Sequence, residues 1–159
     1  EVLTYGAFTY PVTFLITDLS NRRYGKIIAR KIVYFGFILG VSLTLLFSTN
    51  FSELISIRIA IGSGTAFLIS QLIDVQIFDK LRNKIWIAAP FTSSFIGSLI
   101  DTFLFFFIAF YGTNLNWISL GFGDFLMKVL MALIMLIPFR MLMSILKESS
   151  RSSGKISFI

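Results

Sequence analysis

The chain contains no cysteine and no histidine. Without cysteine it can form neither a disulfide nor a thiolate metal site, and without histidine it lacks the commonest metal ligand and general base. It also contains no GxSxG nucleophile elbow and no pair of intramembrane acids at a catalytic spacing. The sequence therefore predicts no catalytic residues, no metal site and no cofactor, and we expect the chain not to be an enzyme.

Charged residues are scarce as well, at 14% of the chain against about 25% in soluble domains. Hydrophobic residues make up 56%, and the mean hydropathy is +0.86. Five apolar segments are each long enough to cross the roughly 30 Å hydrocarbon core of a bilayer: residues 2–19, 31–48, 55–78, 86–111 and 122–146. We predict an all-α integral membrane protein, a polytopic helical bundle that forms a single transmembrane domain over residues 1–159.

Lysine and arginine are missing from one set of loops, residues 48–53 and 112–124. Residues 20–31, 79–85 and 147–159 hold five, three and three of the fourteen basic side chains. The positive-inside rule places these segments in the cytoplasm, so we expect an inner (plasma) membrane protein with a cytoplasmic C-terminal tail. Topology and anionic headgroups account for the basic residues, and we expect no nucleic-acid partner.

One acidic residue interrupts the fourth apolar segment. Asp101 is its only ionisable side chain before the final tyrosine, and a carboxylate in hydrocarbon costs about 2.5–3.5 kcal/mol on insertion scales. Ser94 and Ser98 precede it on the same helical face. Because an unpaired buried charge is strongly penalised, we expect Asp101 to pair with Lys128 or Arg58, and all five residues are candidates for a substrate site.

Two other segments carry candidate site residues. Pro11 lacks a backbone donor, so we expect the first helix to be kinked or unwound near Tyr10 and Thr13, as helices that line transporter sites often are. Gln71 and Asp74 lie three residues apart and share one helical face. These polar groups and the 26 aromatic residues resemble a solute-binding cavity more than a catalytic centre.

Structural roles stay open for several of these residues. A tolerated proline kink would explain Pro11, and Arg58 can extend its side chain to the membrane interface. Asp74 can pair with Lys80 or Arg82 near the inner end of its segment. Asp18 can likewise pair with Arg22, four residues on.

Small and aromatic residues have two open interpretations. We interpret Gly36 and Gly40, which form a GxxxG motif, as helix-packing residues, and Gly62-Ser63-Gly64 as a close-packing site instead of a nucleotide loop. The phenylalanines of residues 103–107 suit either contact with lipid or the wall of an aromatic cavity.

Four blocks of the sequence resemble the queuosine precursor transporter family: YPVTFLITDLSNRRYGKIIARKIV, SQLIDVQIFDKLR, APFTSSFIGSLIDTFLFFFIAFYG and MKVLMALIMLIPFR. The resemblance spans nearly the whole chain. It implies a six-span inner-membrane protein, similar in fold to the substrate-binding subunits of energy-coupling-factor transporters. Because that family has another span before the first block, we expect a helix that precedes Glu1 to pack against the other five.

The resemblance also implies a ligand, a 7-deazaguanine precursor of the tRNA nucleoside queuosine. A carboxylate can accept two N–H groups from the pyrimidine edge of this ring, and Gln71 can bond its carbonyl edge. Aromatic side chains would stack on the ring for roughly 1–3 kcal/mol. We expect an importer that works by alternating access in the lipid bilayer. A substrate-binding subunit that needs an ATPase partner and a scaffold without transport are the alternatives, and a homo-oligomer stays open.

Overall fold

The computed structural model describes the backbone of residues 5–155 and the side chains of residues 10–145. Within that part of the chain every regular element is helical, which confirms the all-α prediction. The five helices are α1 (Tyr5–Tyr24), α2 (Lys26–Leu43), α3 (Leu54–Leu81), α4 (Ala88–Phe110) and α5 (Trp117–Lys155). A π-helical turn over Thr44–Ser48 extends α2.

Four helical stretches are long and apolar enough to cross a membrane: Lys26–Ser48, Leu54–Leu81, Ala88–Phe110 and Trp117–Ile145. They correspond to four of the five predicted spans. Helix α1 is not among them, and its 20 residues include Asp18, Arg22 and Arg23. Because α1 packs against all four other helices, it is part of the bundle, and its crossing of the membrane stays a prediction.

Two of the three basic segments, residues 20–31 and 79–85, meet at one end of the bundle, and the side chains of the third, residues 147–159, lie outside the described part of the chain. The α1–α2 turn passes through Gly25, whose φ of 83° is a conformation that favours glycine. Lys26 then lies 3.5 Å from Asp79 near the end of α3. Arg82 also pairs with Asp79 at 3.5 Å and donates to the Asn21 carbonyl at 3.3 Å. One alternative from the sequence paired Arg82 with Asp74. That alternative is wrong, because Arg82 pairs with Asp79.

Arg58 ties the opposite end of the bundle together. Its Nε donates to the Ile108 carbonyl at 2.9 Å, and its Nη2 donates to the Tyr111 carbonyl at 2.7 Å. These are carbonyls at the end of α4, where the helix leaves its last acceptors unsatisfied. The alternative pairing of Arg58 with Asp101 is therefore wrong, because the guanidinium serves as a cap on α4.

Helix α1 continues through Pro11 without interruption. The sequence had predicted a kink or an unwound turn near Tyr10, and the unwound form is wrong. Thr13 Oγ1 donates to the Tyr10 carbonyl at 2.6 Å, which gives the backbone beside the proline a side-chain partner. Tyr10 therefore lies within a continuous helix, from which its side chain reaches the interior of the bundle.

Close helix packing depends on glycines in α3 and α4. A Cβ atom at Gly62 would lie 3.3 Å from the Phe105 carbonyl oxygen, and one at Gly97 would lie 2.8 Å from the Phe14 ring. Gly97 therefore has no room for a side chain and Gly62 has little, as is common for small residues at membrane helix contacts. This agrees with the packing role predicted for the Gly62-Ser63-Gly64 segment.

Candidate substrate site

A cavity of about 290 Å³ lies among all five helices. Its size is close to the lower limit of roughly 300 Å³ for small-molecule pockets in proteins. Most of the wall from α2 and α3 is glycine or apolar, and it includes Gly36, Phe37, Gly40, Gly64 and Phe67. The charged side chains of the lining and its tyrosine come from α1, α4 and α5: Tyr10, Asp101, Asp124 and Lys128.

The glycines of α2 border this cavity and leave open space beside the helix. A Cβ atom at Gly40 would meet nothing within 4 Å, and one at Gly36 would come no closer than 4.0 Å to the Phe67 ring. The helix-packing interpretation of this GxxxG motif is therefore wrong. The two glycines instead widen the cavity where α2 passes α3.

An ion-pair network lies at the polar side of the cavity. Lys128 Nζ is 2.7 Å from Asp101 Oδ2 and also forms an ion pair with Asp124. Its third contact, 3.3 Å, is with Thr102 Oγ1. Asp101, Lys128 and Asp124 are only 4%, 5% and 8% exposed. The predicted pairing of Asp101 with Lys128 is confirmed, and two carboxylates share one ammonium.

Tyr10 completes the network from α1. Its hydroxyl donates to Asp101 Oδ1 and forms a second hydrogen bond, 2.9 Å long, with Ser70 Oγ. The Lys128 ammonium lies 4.9 Å from the centre of the Tyr10 ring, within cation–π distance. Thr102 Oγ1 donates to Asp124 Oδ2 at 2.9 Å. Each carboxylate is thus held by a hydroxyl as well as by the shared lysine.

Aromatic side chains supply planar apolar surface to the same cavity. Phe67 meets the Tyr10 ring edge-to-face with 6.1 Å between ring centroids, and Phe105 lines the wall from α4. Phe103 and Phe107 are exposed on another side of α4. The run of phenylalanines therefore does both things left open by the sequence. Phe105 lines the cavity, and Phe103 and Phe107 lie on the outer surface.

Several predicted site residues lie outside this cavity. Gln71 and Thr13 meet between α1 and α3, where Gln71 Nε2 donates to Thr13 Oγ1 at 3.1 Å. Asp74 is fully buried near Asp18 of α1. None of the three appears in the cavity lining that the structure describes, so a ligand role for them stays a prediction.

Ser94 and Ser98 line a different, much smaller cavity, which also borders Lys128. Arg58 lies at the far end of the bundle, bound to α4 carbonyls. Of the nine residues predicted for a substrate site, the structure brings Tyr10, Asp101 and Lys128 together.

Sequence reasoning missed Asp124 as a site residue. It was counted with the outer loop of residues 112–124, whereas helix α5 begins at Trp117 and includes it. Asp124 and Lys128 are four residues apart, a spacing that places an acid and a base side by side on a helix. That spacing was the signal in the sequence that could have identified Asp124. Thr102 and Ser70 were also missed, and the only signal for each was a hydroxyl group next to a candidate residue.

The bundle and its buried, charged and aromatic cavity define a class, that of multi-pass membrane proteins with a binding site of small-solute size. The chain belongs to the family described as "Putative vitamin uptake transporter", whose model matches residues 4–143. This is a family of transporters, which confirms both the resemblance noted in the sequence and the prediction that the chain is not an enzyme.

Three curated relatives are similar over most of the chain. A Haemophilus influenzae protein named "Probable queuosine precursor transporter" is 38% identical, over 85% of this chain and 66% of the relative. The Escherichia coli "Queuosine precursor transporter" is 32% identical, over 85% and 70%. A Bacillus subtilis relative is 31% identical, over 84% and 68%. The chain thus spans about two thirds of the length of these relatives, and no solved structure matches it significantly.

Proposed function

We propose that this chain forms the substrate-binding part of an inner-membrane importer of a small planar heterocycle, a 7-deazaguanine precursor of queuosine. The observation that carries the proposal is the surplus carboxylate in an aromatic-lined cavity of about 290 Å³. Two carboxylates share one ammonium there, so the site suits a ligand rich in N–H donors. The names of the H. influenzae and E. coli relatives support the choice of ligand.

Asp101 is the residue that we propose binds the ring. Both of its oxygens have partners in the structure, Tyr10 on one and Lys128 on the other. Each partner has an alternative, because Tyr10 is also bonded to Ser70 and Lys128 is also paired with Asp124. Asp101 can therefore turn to two N–H groups of a ligand without leaving a buried donor unsatisfied, which would be costly.

The aromatic wall supplies the second half of recognition. Phe67, Phe105 and Tyr10 border the cavity, and their faces and edges suit a flat ring. Stacking on such side chains contributes roughly 1–3 kcal/mol per base in nucleic-acid sites. A planar ring with a donor edge thus matches both parts of the lining.

Alternating access is the mechanism that we propose for transport. Helix α2 forms one wall of the cavity, and only Ala29 and Val33 of its side chains are buried. A weakly packed wall beside the site can move with little loss of buried surface. Substrate-binding subunits that need an ATPase and scaffolds without transport are the rivals, and they differ in what the isolated protein does.

Uptake by the full-length protein in vesicles tests the proposal. Purified protein is reconstituted without any ATPase, and uptake of a labelled 7-deazaguanine precursor is compared with that of labelled guanine. Saturable uptake of the precursor supports the importer. Saturable binding without uptake supports the ATPase-dependent subunit, and the absence of both would leave the scaffold.

A further inference from the structure

A second polar cluster lies between α1 and α3, apart from the cavity of Asp101. Asp18 and Asn21 come from α1, and Gln71 and Asp74 come from α3. Asp18 is 2% exposed and the other three are 0% exposed. Asp18 and Asp74 lie close enough for their carboxyl groups to interact, with the Ser93 hydroxyl beside them. Two acids are thus buried side by side in the bundle.

The cluster contains more hydrogen-bond acceptors than donors. Among the described side chains, five buried oxygens have no partner: one from Asp18, both from Asp74, and the amide oxygens of Asn21 and Gln71. The amide nitrogens are engaged elsewhere, since Asn21 donates to the Val75 carbonyl at 2.9 Å and Gln71 donates to Thr13 at 3.1 Å. Buried oxygens without donors are rare in folded proteins, so this group lacks a positively charged or protonated partner.

Four basic side chains, from α2, the end of α3 and α5, have partners outside the cluster. Arg82 pairs with Asp79, as does Lys26 of α2, and Lys128 of α5 pairs with Asp101 and Asp124. Arg140 of α5 lies 4.4 Å from the centre of the Trp86 ring. Helix α4 contributes the uncharged hydroxyl of Ser93. The five oxygens are therefore not neutralised by these cations.

A small cavity borders both Asp18 of this cluster and Lys128 of the substrate site. It measures about 20 Å³, enough for roughly one water molecule, and its lining includes Asp18, Ser94, Ser98 and Lys128. Lys128 is the shared partner of the two cavity carboxylates. A change of charge at Asp18 therefore occurs at the wall of a cavity that Lys128, the lysine paired with Asp101, also borders.

We propose that the cluster of Asp18, Asp74, Asn21 and Gln71 binds one monovalent cation, a proton or a sodium ion, and that its occupancy is coupled to substrate binding at Asp101. A proton would turn one carboxyl into a donor to the other, and a sodium ion would take the carboxylate and amide oxygens as ligands. A proton supplies one donor between the two carboxyl groups, and a sodium ion can take several of the five oxygens as ligands. The inference rests on the proposed transport, because the coupled cation would supply its driving force.

Thermal unfolding of the full-length protein tests cation binding without any substrate. A cation that binds only the folded state raises the melting temperature as its concentration rises. One arm varies sodium at constant pH and ionic strength, with choline as replacement, and the other varies pH at constant sodium. We expect a rise in one arm for the wild type and its loss in Asp74→Asn and Asp18→Asn, whose amides supply the missing donor.

Asp79→Asn is the matched control, because Asp79 lies on α3 but pairs with Lys26 and Arg82 at the bundle end. It should keep the wild-type cation dependence. A wild-type melting temperature that responds in neither arm would overturn the proposal, and so would an unchanged response in Asp74→Asn. Neither result depends on whether substrate is carried.

Vesicle uptake then tests the coupling. We expect an inward gradient of the cation identified above to accelerate precursor uptake by the wild type and by Asp79→Asn, and we expect Asp74→Asn to lose that acceleration. Uptake that ignores both gradients would contradict the coupling alone. No uptake together with an intact cation response would contradict the proposed function and leave the cation site standing.

Discussion

At the scale of single residues, each oxygen of Asp101 has a different partner, and each partner has a second acceptor. Tyr10 donates to one oxygen and Lys128 to the other, while Ser70 and Asp124 stand as their alternatives. Removal of the charge at Asp101 therefore leaves the rest of the network satisfied. The ligand role and the structural role of this carboxylate can be separated for that reason.

We predict that Asp101→Asn weakens precursor binding by about tenfold to more than a hundredfold, because a charge-assisted hydrogen bond contributes about 1.5–3 kcal/mol. Equilibrium binding of labelled precursor to purified protein measures the change. Asp79→Asn, which removes a carboxylate outside both cavities, should bind normally. Wild-type affinity in folded Asp101→Asn would refute the ligand role.

Lys128→Met should instead damage the fold. It leaves Asp101 and Asp124 buried without their cation, and breaking a buried ion pair by removing one partner costs about 3–5 kcal/mol. The melting temperature of purified protein should fall far more than in Asp101→Asn. Because Asp101→Asn removes one of the stranded charges, the double variant should regain part of the loss, and a double variant as unstable as Lys128→Met would argue against the shared network.

The sequence predicted the central ion pair but not the whole site. Membrane depth and the cost of a buried charge were enough to pair Asp101 with Lys128. Helical periodicity also grouped Gln71 with Asp74 correctly on one face of α3. It could not tell which neighbour that face meets, because that depends on how the helices are rotated in the bundle, and the face meets α1 instead of the cavity.

At the scale of helices, some glycines lie at tight contacts between helices and others border open space. A Cβ atom at Gly97 would lie 2.8 Å from the ring of Phe14, which is 2% exposed and has little room to move. A Cβ atom at Gly40 would meet nothing within 4 Å. The same residue type therefore serves a tight α1–α4 contact in one place and a cavity wall in the other.

This contrast predicts opposite effects of one substitution. Gly97→Ala should lower the free energy of unfolding by about 1–3 kcal/mol, the usual cost of overpacking. Gly40→Ala should be neutral or raise it by about 0.5–1 kcal/mol, because alanine is the better helix former. Denaturation of both variants in the same detergent checks the pair, and equal stability changes would contradict the packing described here.

The sequence was enough to predict that these helices exist, but not where each one begins or what each face contacts. Long apolar runs predicted four of the helices that are able to cross a membrane, because a chain that crosses a lipid core must satisfy its backbone hydrogen bonds within a helix. The start of α5 at Trp117 escaped prediction because the segment before residue 122 contains polar residues typical of a loop. The GxxxG motif of α2 was misread because the pattern reports small residues and says nothing of what lies opposite them.

At the scale of the whole molecule, the connections at one end of the bundle are rich in lysine and arginine, whereas residues 48–53 and 112–124 contain neither. The α1–α2 turn and the α3–α4 connection meet at the basic end through Lys26, Asp79 and Arg82, and Arg58 ties α3 to α4 at the other end. This arrangement is what the positive-inside rule requires of an alternating bundle. Which end lies in the cytoplasm stays a prediction.

Cysteine labelling decides the orientation, and the chain has no cysteine to remove first. We expect a cysteine at Asn116 to react with an impermeant reagent from outside intact cells and one at Asn83 to react only after lysis. Both positions are exposed, so accessibility is not limited by burial. If only the Asn83 variant were labelled in intact cells, the predicted orientation would be wrong.

The lysine shared by two carboxylates also has a consequence for how the proposed transport would respond to membrane voltage. With two carboxylates for one ammonium, the empty network carries one surplus negative charge. If the proposed transport moves that charge along the membrane normal, a full crossing is worth about 2.3 kcal/mol per 100 mV. A potential that is negative inside drives a negative charge outward. The resting membrane would therefore hold the empty protein facing outward, where an importer must wait for its substrate.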